Sequence, residues 1–238
     1  MSTAVGRESF FWHKLHSLSG IIPVGFYMVQ HLALNSFSLG GPEKYNSVSD
    51  FFYGLPVHIL LGIEALMVWI PLTFHMVYGL FITARAENNY FTSKYKWSHN
   101  RMYAFQRFTG IFLAVFLIFH FCTTTLQVKL RGDNPQVVDY YAMQAQFMAS
   151  GYLILVFYVL GVLAASYHLA YGVWNFCIRW GITVSEAAQG RIQKFSLVLF
   201  LALTLLGWAS LLGFMRHRPA SSMQANAGVH AAAKFTLH

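Results

Sequence analysis

Four of the chain's 11 histidines, His31, His75, His120 and His168, lie inside long apolar runs. Imidazole is a good ligand for haem iron, and ionisable side chains in such surroundings are costly enough that they usually mark an ion, proton or cofactor path. Their spacing sharpens that chemistry. His75-Met76-Val77-Tyr78-Gly79 and His168-Leu169-Ala170-Tyr171-Gly172 are two copies of one H-x-x-Y-G string. Ser19-Gly20-Ile21 precedes His31 and Thr109-Gly110-Ile111 precedes His120, with Gly-to-His separations of 11 and 10 residues. The two histidines of each half are 44 and then 48 residues apart. Such a pattern reads as one histidine-bearing hairpin used twice, its copies related by an axis along a membrane normal.

The elements that carry these histidines must be membrane helices. The chain has 238 residues, 56% hydrophobic and only 10% charged, far below the roughly 25% charged residues of a soluble domain. A helix needs about 20 apolar residues to cross the hydrocarbon core. Five segments reach that length, at 17–38, 56–84, 104–128, 147–178 and 192–215. The expected fold is therefore all-α: an integral membrane bundle of five transmembrane helices in a single domain over 1–238, with helices 1–4 forming the core and 216–238 a mobile tail. The start of the chain lacks the order of a cleavable signal peptide, so the first apolar run is expected to stay as a span.

The net charge of +8 would suggest nucleic acid in a soluble protein, but the basic residues sit between apolar runs and read as topology signals. With the N-terminus cytoplasmic, the inner side holds Arg7, Lys14, Arg85, Lys94, Lys96, Arg101, Arg107, Arg179, Arg191 and Lys194. The outer loops then hold Lys44, Lys129 and Arg131. That bias places the N-terminus inside and the C-terminus outside. Cys122 and Cys177 lie within apolar runs without CxxC spacing, so neither a thiolate metal site nor a disulfide framework is expected.

Depth decides the pairing. At the helical rise, His75 lies about 15 Å from Arg85 and His168 about 17 Å from Arg179, whereas His120 lies about 20 Å from Arg107 and His31 about 26 Å from Lys14. One pair is inner and one outer, and two imidazoles opposed at one level can hold an iron between them. Gly79 and Gly172 near the inner pair, and Gly20 and Gly110 about three turns from the outer histidines, are expected to leave room for a flat macrocycle. Haem propionates need cationic or hydroxyl partners; His16, Ser17, Arg107 and Arg179 cluster at the inner helix ends and are the candidates. Glu64 is an acidic residue well inside an apolar span, on the side of helix 2 that carries His75 and about 16 Å further out. It is the candidate for a quinone site near the outer iron, exchanging the protons that quinone chemistry requires.

Leu15-His16-Ser17-Leu18-Ser19-Gly20-Ile21-Ile22-Pro23-Val24-Gly25, Gln30-His31-Leu32, His75 with Tyr78-Gly79, Gln106-Arg107 with Thr109-Gly110, His120, His168 and Trp180-Gly181-Ile182-Thr183 together resemble the two-haem cytochrome b subunit of succinate dehydrogenase, in the single-chain form of menaquinone-linked complexes. The resemblance spans about residues 9–215. It implies a bacterial cytoplasmic-membrane anchor for a flavoprotein and an iron-sulfur subunit, two haem b groups, and quinone as electron acceptor. By the resemblance His75 and His168 ligate the inner haem and His31 and His120 the outer one, no residue here acts on succinate, and a higher oligomer of the complex is possible. Some fumarate-reducing relatives carry a glutamate two residues before the last haem histidine; here Ser166 stands there, which puts a proton path through helix 4 in doubt. The rival readings are the same subunit of a quinol:fumarate reductase, another dihaem membrane cytochrome, a haem-free proton-coupled transporter and a cofactor-free anchor. The Q-H-L and H-x-x-Y-G strings argue against another dihaem cytochrome and the presence of all four histidines against a cofactor-free anchor, whereas a reduced-minus-oxidised spectrum separates the transporter.

Overall fold

The computed structural model describes residues 2–86, 98–131 and 138–216. Among them it contains helices and no strand: α1 (Ser2–Ile21), α2 (Pro23–Asn35), α3 (Pro42–Tyr53), α4 (Val57–Glu64), α5 (Ile70–Arg85), α6 (Ser98–Thr123), α7 (Thr125–Arg131), α8 (Tyr140–Ala149), α9 (Tyr152–Arg179) and α10 (Glu186–Arg216). Five helical stretches are long and apolar enough to cross a bilayer: Phe10–Gly40, His58–Arg85, Asn100–Lys129, Tyr152–Arg179 and Glu186–Arg216. Side chains such as Phe26 and Phe108, 70% and 65% exposed, are at home only where lipid is the solvent.

The first two spans are interrupted before their histidines, the third only at Thr124, beyond His120, and the fourth not at all. Pro23 has no N–H to donate to the preceding turn, and the first span breaks at Ile22 between α1 and α2. In the second span Pro71 would clash with the carbonyl one turn earlier. A π-helical turn, Ala65–Trp69, precedes it and joins α4 to α5, the wider winding that a proline and a functional segment often share. By contrast α6 and α9 run unbroken for 26 and 28 residues. The fourth span begins at Tyr152 and not at 147, because Gly151 is fully extended and separates it from α8.

Packing is uneven in the same sense. The main apolar cluster joins Leu113 and Phe116 of α6, Tyr158 and Ala164 of α9, Leu211 and Phe214 of α10, and Tyr141 and Met148 of α8. The small residues Gly161 and Gly207 let Phe116 and Val162 press against the helix backbones. At the C-terminal end of α10, Tyr141 donates to the Gly213 carbonyl at 2.7 Å and Ser38 to that of Ser210 at 2.9 Å, locking the 36–40 turn and α8 onto the fifth span. No side chain of α5 is fully buried. The C-terminal end of α9 closes at Gly181, whose φ of +70° is open to glycine at no steric cost. It lets the Ile182 and Thr183 amides return to the Cys177 carbonyl at 2.8 and 3.1 Å. Ser185 then caps the fifth span through the Ala188 amide at 3.2 Å. The expected tail falls, after Arg216, outside the described residues, as do Lys94 and Lys96.

Candidate haem-binding site

The four histidines meet in the two expected pairs. The rings of His75 on α5 and His168 on α9 have centroids 6.1 Å apart with planes at 90°; those of His31 on α2 and His120 on α6 are 5.9 Å apart at 81°. Two imidazoles bound to opposite sides of one metal, with a metal–nitrogen bond of about 2 Å and a ring nitrogen about 1 Å from its centroid, put their centroids roughly 6 Å apart. The two levels are separated along α6 by the 11 residues from Thr109, beside His168, to His120, about 16 Å of helix. No group of three or more His, Cys, Asp or Glu side chains arranged to hold a metal ion occurs among the described residues. Each facing pair thus offers two nitrogen donors, the donor set suited to an iron already held in a macrocycle and not to a bare ion.

Three of the four rings have their far nitrogen engaged. Nδ1 of His75 lies 2.9 Å from the carbonyl oxygen of His16; a carbonyl only accepts, so Nδ1 carries the proton and Nε2 keeps its lone pair. Nδ1 of His168 lies 3.2 Å from the Thr109 hydroxyl, and Nδ1 of His120 lies 3.1 Å from that of Tyr158. His31 is stacked on Tyr27, with centroids 5.5 Å apart. The glycines serve the rings themselves. A Cβ on Gly20 would overlap the His75 ring, and one on Gly110 would come within 3.1 Å of His168. The room expected for a macrocycle at these two positions is filled by the imidazoles that would ligate it. The repeat is visible here in three dimensions: residue 16 packs on Gly79 as Gln106 packs on Gly172.

Three of the four propionate candidates, His16, Ser17 and Arg179, lie where the first span meets the C-terminal end of α9. The His16 ring lies flat on His75, centroids 4.1 Å apart at 7°. Ser17 donates to the Lys14 carbonyl at 3.0 Å and accepts from the Trp180 indole at 3.0 Å, a strut between the first span and the end of the fourth. Lys14 covers the Trp180 ring at 4.5 Å. Arg179 is within electrostatic range of His13 and His16, and the Arg107 guanidinium lies 4.1 Å over Tyr103.

At the outer side Glu64 ends α4 just before the π turn, in an ion pair with Lys129 at 2.6 Å and with the Trp69 indole 3.5 Å away. Trp69 in turn meets Phe121, the neighbour of His120, edge to face at 4.7 Å. Lys129, Thr109 and Tyr158 join these sites although sequence reasoning does not select them. Of the three only Thr109 leaves a trace in the sequence, as the hydroxyl residue inside the T-G-I string, matched by Ser19 in the first copy.

Residues 85–210 match the family of succinate dehydrogenase/fumarate reductase transmembrane subunits. The chain is also 33% identical to the succinate dehydrogenase cytochrome b558 subunit of Bacillus subtilis (strain 168), over 210 residues that cover 88% of this chain and 99% of that one. The chain belongs to this family. As a succinate dehydrogenase/fumarate reductase transmembrane subunit it is a membrane cytochrome b, and membership implies haem b. The paired histidines fit that group in donor type and ring spacing, and His75 also in protonation.

Proposed function

We propose that this cytochrome b carries electrons from an iron-sulfur subunit through two b haems to membrane quinone, as the anchor of a succinate dehydrogenase linked to menaquinone. The observation that carries the reading is the pair of facing imidazoles at each of two heights, with centroids 6.1 and 5.9 Å apart. Bound haem iron supplies one-electron exchange between ferric and ferrous states. The chain supplies position. His75 and His168 would hold the inner haem, His31 and His120 the outer one, with helices of the bundle excluding water from both.

Arg107 and Arg179, with His16 and Ser17 beside them, would receive the anionic edge of the inner haem. Glu64, braced by Lys129, would exchange protons with quinone near the outer level. The charge bias of the loops supports an N-terminus in the bacterial cytoplasm, where flavoprotein and iron-sulfur partners would dock, and a C-terminus outside. The same frame would serve a quinol:fumarate reductase. Against a proton path through the fourth span in that direction, the position two residues before His168 is Ser166, fully buried and without a carboxyl group.

The test is haem quantification on the purified complex with each histidine replaced in turn. Two haems per chain are expected. His75→Ala and His168→Ala should lose one spectral component, and His31→Ala and His120→Ala the other. Any other grouping, or a colourless complex, overturns the assignment.

A further inference from the structure

Two hydroxyl side chains outside the ligand set reach the histidines of the second hairpin, and they do so reciprocally. Thr109 on α6 meets His168 on α9, while Tyr158 on α9 meets His120 on α6. Both are withdrawn from the surface, at 7% and 5% exposure, so water does not compete for these contacts.

The direction of each bond follows from which group has a proton to give. Thr109 Oγ1 lies 2.8 Å from the Phe105 carbonyl and 3.1 Å from that of Gln106, and these groups only accept. Its one proton is therefore committed to the backbone, its lone pair faces the imidazole, and Nδ1 of His168 must be the donor. The Tyr158 hydroxyl lies 3.1 Å from Nδ1 of His120. With Nε2 of His120 reserved for iron, Nδ1 carries the proton and the phenol oxygen accepts it.

We propose that Thr109 and Tyr158 are positioning residues, one for each haem: each fixes its histidine with Nε2 free to face iron and, by accepting the Nδ1 proton, makes that imidazole a stronger electron donor. The inference rests on the assignment of these histidines as haem ligands. A hydrogen bond from the distal ring nitrogen raises ligand basicity, and partners of this kind are commonly worth tenfold or more in metal affinity or activity. A more basic ligand favours the ferric state, so removing the acceptor raises the midpoint potential of that haem alone.

Thr109→Val keeps the shape of threonine without the hydroxyl, and Tyr158→Phe does the same for tyrosine. Redox titration of the intact purified complex, with low-spin electron paramagnetic resonance of each component, reads the result. Thr109→Val should raise the potential of the component that His168→Ala abolishes. Tyr158→Phe should raise that of the component His120→Ala abolishes. In each case a tenfold shift in the oxidation equilibrium is expected, about 59 mV for a one-electron couple, with the other component unmoved. Thr109→Ser, which retains the hydroxyl, should return the inner component to its original potential, or restore it if the valine variant loses it. Components unmoved in both variants, both components moving together in either, or failure of serine to rescue would overturn the brace. An unsubstituted complex without haem would instead remove the ligand assignment on which it stands.

Discussion

The two histidine hairpins carry the same ligand frame on very different supports. In the first, His75 leans on a backbone carbonyl and a stacked imidazole, His31 on a tyrosine ring, the first span breaks at Ile22 and the second contains a π turn. In the second, α6 and α9 run unbroken through their histidines, both histidines meet hydroxyls of the opposite helix, and α9 is gripped between α6 and α10. The placement of four nitrogens is thus duplicated, while packing has diverged around them. No side chain of α5 is fully buried by protein, so this helix has less packing to hold it than α9 and is expected to depend more on what its histidine binds.

The sharpest way to break this comparison is to add one methyl group to each glycine beside a ligand. Gly20→Ala places a Cβ in the His75 ring and should abolish the inner haem signal. Gly110→Ala, with 3.1 Å to His168, should reduce it only in part. Gly172→Ala, whose nearest side-chain atom is 3.7 Å away, should leave it intact. Haem content and the difference spectrum of each purified variant decide the order; equal loss at all three would erase the contrast between the hairpins.

A second measurement addresses support directly. In the His75→Ala complex, backbone hydrogen exchange over residues 70–85 should accelerate roughly tenfold. Residues 152–179, packed between two helices, should change little. Equal acceleration in both would mean that α5 is no more dependent on its contents than α9.

The smallest effect concerns chemistry that only one hairpin carries. Eleven residues before His75 stands Glu64, whereas eleven before His168 stands Phe157. Glu64→Gln should slow quinone reduction several-fold while haem content and thermal stability stay within error, since an ion pair as exposed as that with Lys129 contributes at most about 1 kcal/mol. Unchanged turnover would take the proton role away from Glu64.

Much of this arrangement is legible in the sequence, for physical reasons that differ by residue. The pairing of His31 with His120 and of His75 with His168 follows from helical rise alone once the spans are recognised, because depth in a bilayer is nearly one-dimensional. Pro23 and Pro71 mark where the first two spans deviate, although a proline does not say whether a helix will break or widen. The roles of Thr109 and Tyr158 are hidden because hydroxyl residues are common in such helices, and only the facing geometry of two spans selects the pair that reaches an imidazole. Lys129 reads in the sequence as a loop charge; its partner lies 65 positions earlier. The short helices α3 and α8 are hidden because neither is long enough to announce itself as a span, although Tyr141 and Met148 of α8 belong to the main apolar cluster.

The joint at Ile22 has one more effect. The eleven residues from Gly20 to His31 make three turns and about 20°, so both fall on one edge of the first span, Gly20 against His75 and His31 against His120. Ile22 keeps helical dihedrals, −78° and −65°, so the chain passes the proline without losing that alignment. The first span is a ruler with two marks on the same edge, and turning it at one level would put both levels out of true together.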